Sequence, residues 1–574
     1  MKKEMIQFII ENGLSPFNIN KTSIRGNSGS LYKTNDAKVV HGKVISDIAR
    51  HFQFPDTSSL LGFFDFTQEL DILNKRQMYF SSLKRNEREF LKEIKAPRPS
   101  WKPSYSIIVV TEDEQTFLRL REMGCPCKLL ISEGDVMELQ VYDVVQVLNC
   151  EQYTMALEQL AQAVFLKNEN EVYLERYVSQ ISGWNKIIEL MKEKELSEAI
   201  LSTINKIIPL MELVNIGKKE VLDRRNVENA CEKMNAELEE KMKNLTISGA
   251  VLMNALSRGT LPDELKRIVQ QLIKNSGFSE DIFVEKVPIE IDENELEKKI
   301  RIQSIEGFTS EAGKIKKYSA ELLQVPKLLN EIERELLVFD FESGIAKWIG
   351  ENKQVITITD DITMENAQNM FLENAQPIGF ELNSNHRCSI LTGANSGGKT
   401  TLLEHIIQNI SLMQIGLPIN GKIKMPLFSE VYYFAKNKGS ASKGAFETLL
   451  TQMSQIKTGN KTLILADEIE SVTEPGVAGK IIAATADYFI KKNCFLVVAT
   501  HLGQEIQKVL PERARIDGIE AKGLDENNEL IVDHNPVLGR LAHSTPELIV
   551  EKMTKKSGEE YFVHLFESLK NKND

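Results

Sequence analysis

The sequence has no long hydrophobic run. None of its stretches approaches the roughly 18 consecutive apolar residues that a membrane-spanning helix needs. The first ten residues contain two lysines and a short apolar stretch, but Glu11 and the lack of a small-residue cleavage site argue against a signal peptide. The sequence therefore predicts a protein with no membrane association that stays in the cytoplasm.

Cysteine is scarce and scattered. No pair has the C-x-x-C spacing, and Cys125-Pro126-Cys127 has no second Cys or His pair nearby that would complete a zinc site. We therefore expect free thiols in a reducing compartment. The six cysteines are Cys125, Cys127, Cys150, Cys231, Cys388 and Cys494.

The chain also lacks an excess of positive charge. Its 70 Lys and Arg residues face 82 Asp and Glu residues, which leaves a net charge of −12. This sum does not indicate a nucleic-acid binder, but it does not exclude one, because phosphate contacts need only a local basic surface. At about 150 residues per domain, the 574 residues predict about four domains.

One short stretch has the spacing of a phosphate-binding loop. The apolar pair Ile390-Leu391 precedes it, and apolar residues at helical spacing follow it until Gly416. The local order is strand, glycine loop, helix, which is the context that the motif G-x-x-x-x-G-K-[ST] requires. The residues of the stretch are Gly393, Ala394, Asn395, Ser396, Gly397, Gly398, Lys399, Thr400 and Thr401.

The chemistry of this loop follows from its residue types. Glycines let the backbone bend around a phosphate, so that successive N–H groups and the positive end of the helix converge on an anion. Lys399 would then reach the β and γ phosphates, and the Thr400 hydroxyl would ligate Mg²⁺. A Gly-rich turn that matches by chance is the alternative, and the flanking strand and helix argue against it. We expect a nucleotide site.

Two acidic residues end a later apolar run. Leu463-Ile464-Leu465-Ala466 is typical of a buried strand, and Asp467 and Glu468 follow at the edge where open α/β sheets place ligands. Asp467 would hold Mg²⁺ together with Thr400, and Glu468 would orient and polarise the attacking water. Two acids after an apolar run also occur by chance, so the prediction depends on the upstream loop.

A third apolar run, Phe495 to Thr500, ends at His501. A lone histidine is more often a structural residue, but the edge of a sheet that carries Lys399, Asp467 and Glu468 would place this one at the γ-phosphate. We favour the functional role. Because strand and helix patterns alternate beyond residue 345, residues 346–574 are predicted to form an α/β domain on a mostly parallel sheet.

The first half of the chain divides into three ranges. Residues 1–96 are helical in pieces, residues 97–150 form a small βαβ-type module, and residues 151–345 are almost wholly helical. Acids follow two strands of the module, so a Mg²⁺-dependent nucleic-acid cleft is one alternative, with solvated loop acids the more common one. These acids are Glu112, Asp113, Glu133 and Asp135.

A narrow apolar seam marks the helical range. Its residues recur at spacings of three and four between charged neighbours, which is typical of a coiled coil or a projecting helical arm. The seam persists for only two to three heptads, so an ordinary amphipathic helix is an equal alternative. The seam consists of Cys231, Met234, Leu238, Met242 and Leu245.

Taken together, the stretches 392–401, Asp467-Glu468-Ile469 and Ala499-Thr500-His501 resemble the ATPase of the MutS family, a branch of the ABC-type ATPases. The Asn-x-Gly-Gly-Lys form of the loop is more specific than the general motif. The resemblance implies an α/β P-loop ATPase preceded by a helical lever and clamp core. It also implies a homodimer with two ATP sites at the subunit interface, each completed in trans, and a clamp around DNA.

The residues that act in trans are less well defined by the resemblance. Residues 438–447 stand where the family has a Ser-containing loop that meets the partner's nucleotide. The family's Ser-Thr-Phe is Gly444-Ala445-Phe446 here, so Ser440 or Ser442 would supply the hydroxyl. The alternative is a Gly/Ser-rich loop that enters a helix.

Mismatch recognition is not part of the prediction. About 60 residues precede the segment that resembles the family's lever, too few for the leading domain that carries its Phe-x-Glu wedge. Phe283-Val284-Glu285 and Phe371-Leu372-Glu373 match that tripeptide in other places, by chance. The chain resembles MutS-related proteins that lack this domain and are associated with recombination and branched DNA, and no C-terminal nuclease module is recognisable.

The sequence therefore predicts a homodimeric, Mg²⁺-dependent ATPase that opens and closes a clamp on branched or recombination DNA. It would be cytoplasmic, and nucleoid-associated when bound to DNA. A ribosome- or RNA-associated ATPase and a non-enzymatic ATP-gated scaffold are the alternatives. Binding of a four-way DNA junction, compared with linear duplex and with ribosomes, discriminates among them.

Overall fold

The computed structural model describes most of the chain between Met1 and Lys570. The ranges that it does not describe are 19–30, 99–104, 123, 193, 195, 197, 216–221, 351–353, 394–396, 437–442, 470–474, 525–529, 543–545, 558 and 571–574. The described residues form two compact units, Met1–Lys95 with Glu333–Asp574, and Ala96–Ile332. The four-part division made from the sequence stays a prediction.

The N-terminal segment contains short helices, as its pattern indicates. Helix α3 buries Leu73 and Phe80, which lie seven residues, or two helical turns, apart. Short 3₁₀ turns, Pro55–Phe63 and Glu89–Glu93, stand on either side of it. The helices are α1 (Lys2–Glu11), α2 (Asn35–Ala49) and α3 (Leu70–Ser81).

The second unit begins with a parallel four-stranded sheet of order β2-β1-β3-β4. The sequence predicted three strands and an end at residue 150, but the fourth strand, Ala163–Phe165, lies beyond it because a short helix follows β3 and returns the chain to the sheet. The elements are β1 (Ile107–Thr111), α4 (Glu114–Glu122), β2 (Cys127–Leu129), α5 (Glu133–Met137), β3 (Val144–Val147), α6 (Thr154–Leu157) and β4 (Ala163–Phe165).

Helices dominate the rest of this unit and continue into the first. They are α7 (Glu175–Lys192), α8 (Glu198–Met211), α9 (Arg224–Lys243), α10 (Gly249–Arg258), α11 (Asp263–Lys274), α12 (Glu293–Lys317), α13 (Ser319–Leu322) and α14 (Val325–Ile349), with a hairpin of β5 (Phe283–Val284) and β6 (Glu290–Ile291). The predicted seam lies on α9, where Cys231, Met234 and Leu238 are buried in one core with residues of α11 and of the hairpin. Other elements of this chain therefore bury these three seam residues, as expected for an ordinary amphipathic helix.

The C-terminal range alternates strands and helices. Its elements are β7 (Thr357–Ile358), β8 (Ile362–Ala367), β9 (Ile378–Leu382), β10 (Cys388–Gly393), α15 (Lys399–Ile415), β11 (Lys422–Met425), β12 (Glu430–Phe434), α16 (Lys443–Ser454), β13 (Thr462–Asp467), α17 (Pro475–Lys491), β14 (Phe495–Ala499), α18 (Gly503–Gln507), β15 (Ala514–Leu524), β16 (Leu530–Val537), α19 (Pro546–Ser557) and α20 (Glu560–Lys570). A smaller sheet has the order β7-β11-β8-β9.

The main sheet has six strands in the order β12-β13-β14-β10-β15-β16 and is parallel except for β16. Strands β13 and β14 are buried along their whole length, as near-continuous apolar runs in parallel sheets are. Because β10, β13 and β14 run in the same direction, their carboxyl ends meet at one edge. This arrangement confirms the predicted α/β P-loop ATPase fold.

The N-terminal segment packs directly on this α/β domain. Lys33 N–H donates to the Val431 carbonyl oxygen and Val431 N–H to the Leu31 carbonyl oxygen, each at 2.9 Å, so the segment extends the sheet beyond β12. Arg76 donates 2.7 Å hydrogen bonds to the carbonyl oxygens of Asp65 and Gln414, at the end of α15. Among the helices described, none is long and apolar enough to cross a bilayer.

Candidate active site

The glycine loop joins β10 to α15. Gly393 has φ +133° and Gly398 has φ +92°, conformations that residues with a side chain rarely adopt. A Cβ at Gly393 would also collide with the carbonyl oxygen of Ile519 on β15. Glycine is therefore required at both positions. The loop residues Ala394, Asn395 and Ser396 lie outside the described residues.

Lys399 lies inside this loop. Its side chain is only 3% exposed, and its Nζ donates a 2.7 Å hydrogen bond to the Gly393 carbonyl oxygen at the other end of the loop. Lys399 is also the first residue of α15, whose unpaired N–H groups and helix dipole favour an anion at this end. The loop thus holds the positive charge of Lys399 next to the N-terminus of α15, where an anion is favoured.

Thr400 and Asp467 meet across this edge of the sheet. Thr400 Oγ1 donates to Asp467 Oδ2 at 2.6 Å, and Asp467 Oδ1 is buried without a hydrogen-bond partner among the residues that the structure describes. Burial raises the pKa of Asp467, whereas the hydrogen bond from Thr400 opposes that rise. A hydroxyl beside a carboxylate oxygen that lacks a partner suits Mg²⁺, which prefers oxygen ligands. The residues present therefore fit the ion.

The set of protein ligands at this point is small. Within the part of the chain that the structure describes, no cluster of three or more His, Cys, Asp or Glu side chains could hold a metal ion. A Thr hydroxyl with a single carboxylate is the usual protein share of a Mg²⁺ site that also takes water and phosphate oxygens.

Glu468 follows Asp467 and is paired at both carboxylate oxygens. Its Oε1 lies 2.7 Å from His501 Nε2, and its Oε2 forms an ion pair with Lys436 Nζ. Partial burial by itself would raise the pKa of Glu468, but the hydrogen bonds from Lys436 and His501 outweigh burial and hold the pKa below its usual value. The carboxylate is thus ionised at neutral pH.

The backbone at Glu468 is itself unusual. Its φ of +47° is rare for a residue with a side chain, and its N–H donates a 2.9 Å hydrogen bond to the Ala499 carbonyl oxygen on β14. Strained conformations of this kind persist where the surrounding structure holds them, often in active sites. The strained backbone is consistent with a fixed orientation of the Glu468 side chain.

The structure brings together the sequence-predicted residues Lys399, Thr400, Asp467, Glu468 and His501 at one sheet edge. Thr401 lies one residue further along α15, on the wall of an adjoining cavity. The trans-loop residues Ser440 and Ser442 lie outside the described residues and stay predictions.

Comparison with known proteins identifies relatives along the whole chain. The DNA-binding protein MutS2 of Pyrococcus furiosus is 31% identical over an alignment that covers 92% of this chain and 97% of that protein. The chain belongs to the MutS2 family. Two bacterial proteins, each named endonuclease MutS2, are more distant. The one from Fusobacterium nucleatum is 23% identical and the one from Enterococcus faecalis 22%. The alignments with these two cover 60% and 58% of this chain but only 47% and 43% of the relatives' own lengths. No protein-family model matches the chain.

Sequence reasoning missed one charged residue of the MutS2 site. Lys436 follows β12, the strand next to β13, and its ammonium group reaches Glu468 from there. One signal in the sequence could have identified it. The apolar run Val431 to Phe434 ends two residues before Lys436, and the apolar run before Asp467 ends at the same edge of the sheet. A lone lysine after a strand is too common to be singled out without the tertiary contact.

A cavity of about 150 Å³ beside the loop was also missed. His534 on β16 accompanies Gly398 in its lining, and His534 Nδ1 donates a 2.9 Å hydrogen bond to the Gly397 carbonyl oxygen. His405 of α15 also lines the cavity, and its Nε2 is buried without a partner among the described residues. Burial lowers the pKa of His405 to about 4, so its ring is neutral.

The acids of the small module do not form a second site. Glu112 accepts hydrogen bonds from the backbone N–H groups of Glu151 and Gln152 at 2.8 and 3.0 Å, and Asp113 accepts the Thr116 N–H at 2.8 Å. Asp135 accepts N–H groups at the start of α5, beside Glu133. Three of the four carboxylates therefore bond to backbone N–H groups of their own module, an arrangement that neither predicted alternative, solvated loop acids or a Mg²⁺-dependent cleft, specified.

All six cysteines are free thiols in the structure, as predicted. Burial raises the pKa of Cys388 and of Cys494 above the usual thiol value. Thiols that resist ionisation are weak nucleophiles and weak metal ligands, so these two fill space in the core of the main sheet.

Proposed function

We propose that this MutS2 protein is a Mg²⁺-dependent ATPase. One observation carries the proposal. Within the described residues, Asp467 Oδ1 is buried without a hydrogen-bond partner, and Asp467 Oδ2 accepts from the Thr400 hydroxyl. Lys399 immediately precedes Thr400 in the chain. A site of this composition offers two oxygen ligands for a divalent cation and a positive charge for a polyphosphate.

The loop residues bind and position the phosphates. The N–H groups of the loop and of the first turn of α15 would donate to phosphate oxygens, and Lys399 would exchange its hydrogen bond with Gly393 for one with the β and γ phosphates. Thr400 and Asp467 would hold Mg²⁺, which neutralises charge on the phosphates when it is bound.

Glu468 acts on the attacking water. Because its carboxylate is ionised, it can accept a hydrogen bond from water and orient that water for in-line attack. Both oxygens already have a partner, so one partner must move aside when the water binds. His501, which is bonded to Glu468 Oε1, would then read the γ-phosphate and align the carboxylate.

The cavity beside the loop would hold the nucleobase. Its lining includes Gly398 and Thr401 at the start of α15 and His534 of β16, whereas Asp467 ends β13, which lies on the other side of β10 in the strand order. The neutral ring of His405 offers its unpartnered Nε2 to a polar group of the base, and the His534 ring adds a flat surface.

We further propose that ATP hydrolysis controls a dimeric clamp on DNA. The printed name of the Pyrococcus relative describes a DNA-binding protein, and resemblance to the MutS family supports a homodimer whose ATP sites lie at the subunit interface. ATP binding and hydrolysis would close and open the clamp on branched or recombination DNA. Cytoplasmic and nucleoid-associated localisation belongs to the same proposal.

The substitution Glu468→Gln tests the catalytic role. It preserves size and removes the negative charge, so ATP should still bind while turnover falls by about tenfold or more. Glu512→Gln is the matched control, because Glu512 is exposed and precedes β15 at the opposite edge of the sheet. Steady-state phosphate release and equilibrium binding of a fluorescent ATP analogue measure the two effects. Unchanged turnover in Glu468→Gln contradicts the assignment.

The DNA proposal has a separate test. Electrophoretic shift of a four-way junction, compared with linear duplex of the same length, should show tighter binding of the junction and a change on addition of ATP. Lys399→Ala should lose the ATP effect but keep DNA binding. Indifference to both DNAs, together with co-sedimentation with ribosomes, would point to the ribosome-associated alternative instead.

A further inference from the structure

The small α/β module, residues 105–172, carries most of the net charge of the protein. It contains twelve Asp and Glu residues against four Lys and Arg residues, a net charge of −8 compared with −12 for the whole chain. The remaining residues are therefore close to electrically balanced for their number. Such a concentration of one sign on one module creates a local field that selects among partners.

One layer of this module also exposes large apolar side chains. Helix α5, the 3₁₀ turn Glu138–Val141 and helix α6 cover one face of the sheet, because Val136, Leu139 and Leu157 share a core with alternate residues of β1 and β3. Apolar residues of this layer, and of the loop that enters it, are 74 to 81% exposed. They are Ile131, Met137, Val141 and Met155.

Exposed acids stand within four residues of these apolar residues in the chain. Glu133, Glu138, Glu151 and Glu158 belong to the same layer or to the loops that enter it, and all are exposed. We call this set, with the four apolar residues, the acidic methionine face. Four side chains so exposed on one small layer are unusual for a surface with no partner.

Few basic groups lie near this face. Lys128 forms ion pairs with both Asp135 and Glu138, which neutralise it. Arg301 on α12 donates a 2.7 Å hydrogen bond to the Gln140 carbonyl oxygen at the border of the face. The opposite face of the sheet is different, since its helix α4 carries Arg119 and Arg121.

The charge of the face decides among its possible occupants. Nucleic acid and anionic lipid surfaces are negative and are repelled by it. A second copy that docked through the same face would place acids opposite acids, which is also unfavourable. The remaining occupant is a surface that is both basic and apolar.

We propose that the acidic methionine face is a docking site for a basic amphipathic segment of another protein. Met137 and Met155 have unbranched, polarisable side chains that adapt to apolar groups of different shapes. The surrounding glutamates would pair with Lys or Arg on the flanks of the segment, which sets its orientation and speeds association. This function is independent of ATP hydrolysis at the other unit.

The test uses the full-length chain and a defined probe. The probe is a fluorescent peptide with leucines at helical positions i, i+3, i+4 and i+7 and lysines elsewhere, and its scrambled isomer lacks the apolar face. Fluorescence anisotropy should show saturable binding of the amphipathic peptide, about tenfold tighter than that of the scrambled peptide, with affinity that falls as salt rises.

Paired variants locate the binding site. Met137→Ser with Met155→Ser should weaken peptide binding by about tenfold. Leu118→Ser is the matched control, because Leu118 is an apolar residue of α4 that is 51% exposed on the opposite face of the same sheet. Glu151→Lys with Glu158→Lys should also weaken binding, and Glu122→Lys on α4 should not.

Three results overturn the proposal. The first is equal affinity for the two peptides, which would show charge attraction alone. The second is equal loss in the face variants and in Leu118→Ser. The third is that the Met137→Ser, Met155→Ser double variant changes affinity for duplex DNA, or self-association measured by light scattering, while peptide binding is unchanged.

Discussion

Two sheets in this protein, the main sheet and the sheet of the small module, place acids just after buried strands, and these acids use their oxygens differently. At the end of β13, one buried oxygen of Asp467 has no partner in the described part of the chain, and the Thr400 hydroxyl contacts the other oxygen. At the end of β1, Glu112 and Asp113 accept backbone N–H groups of the loop after β3 and of helix α4. The acids after β13 and after β1 are alike in residue type and position. They differ in what their carboxylate oxygens bind.

The comparison shows what an acid at a strand end requires to become a ligand. A carboxylate that satisfies nearby donors is already used by the fold. The hydrogen bond from the Thr116 hydroxyl, followed by that from the Thr116 N–H, lowers the pKa of Asp113 because both favour its charged form. A buried carboxylate oxygen with no partner instead retains its capacity for a cation. The presence of acids in a sequence does not distinguish the two cases.

The largest expected difference comes from the same substitution at both sheets. Asp467→Asn should reduce ATP turnover by about a hundredfold or more, because the amide is a weaker cation ligand than the carboxylate. Asp113→Asn should leave turnover within about twofold of the parent, because an Asn side chain also caps a helix. Phosphate release at saturating Mg²⁺ measures both variants. Equal turnover in the two variants would contradict the claim that Asp467, but not Asp113, binds the cation.

A second difference concerns pH. All eight histidines lie in the first unit, and buried His405 has its pKa lowered from the usual 6.5 to about 4. Between these two values the unfolded chain binds a proton that the folded chain does not, so stability is present above about pH 6.5 and is lost as the pH falls toward 4. The loss amounts to about 3 kcal/mol for this residue.

Hydrogen exchange followed by mass spectrometry at pH 7 and pH 5 can separate the two units. Exchange rates, corrected for the intrinsic effect of pH, should rise in α15 and the main sheet and stay unchanged in the sheet of the small module, which contains no histidine. His405→Gln serves as the control, since it should reduce the pH dependence of α15. The remainder is expected from His41, whose pKa burial also lowers to about 4 and whose Nδ1 lies 3.1 Å from Ser411 Oγ on α15. Loosening of the module at pH 5 contradicts this explanation.

The smallest expected effect lies in the module alone. The carboxylate of Asp135 accepts the N–H groups of Ile131 and Ser132 at 3.0 and 2.8 Å at the start of α5. Asp135→Ala should lower the melting temperature of the module by about 2 °C, the usual scale for loss of one helix cap, with ATP turnover unchanged. Reduced turnover in this variant would mean that the two sheets are coupled.

Much of the active site was predictable because it depends on local order. The glycine loop needs only a strand before it and a helix after it, and Asp467 and Glu468 need only the apolar run that precedes them. Strand β4 of the small module was not predicted, because it has three residues and only Val164 is buried. So short and exposed a strand carries no detectable periodicity.

The sequence by itself determined the P-loop, the acids of β13 and the alternation of strands and helices, since each arises from residues within about 20 positions of one another. Tertiary structure alone decided that Lys436 reaches Glu468, that His534 holds Gly397, and that Leu31 and Lys33 pair with β12. These partners lie from 32 to about 400 residues apart in the chain. Only the packing of the whole unit brings their side chains or backbones within hydrogen-bond distance. Likewise, no local sequence pattern determines which acid has an oxygen available to bind a cation.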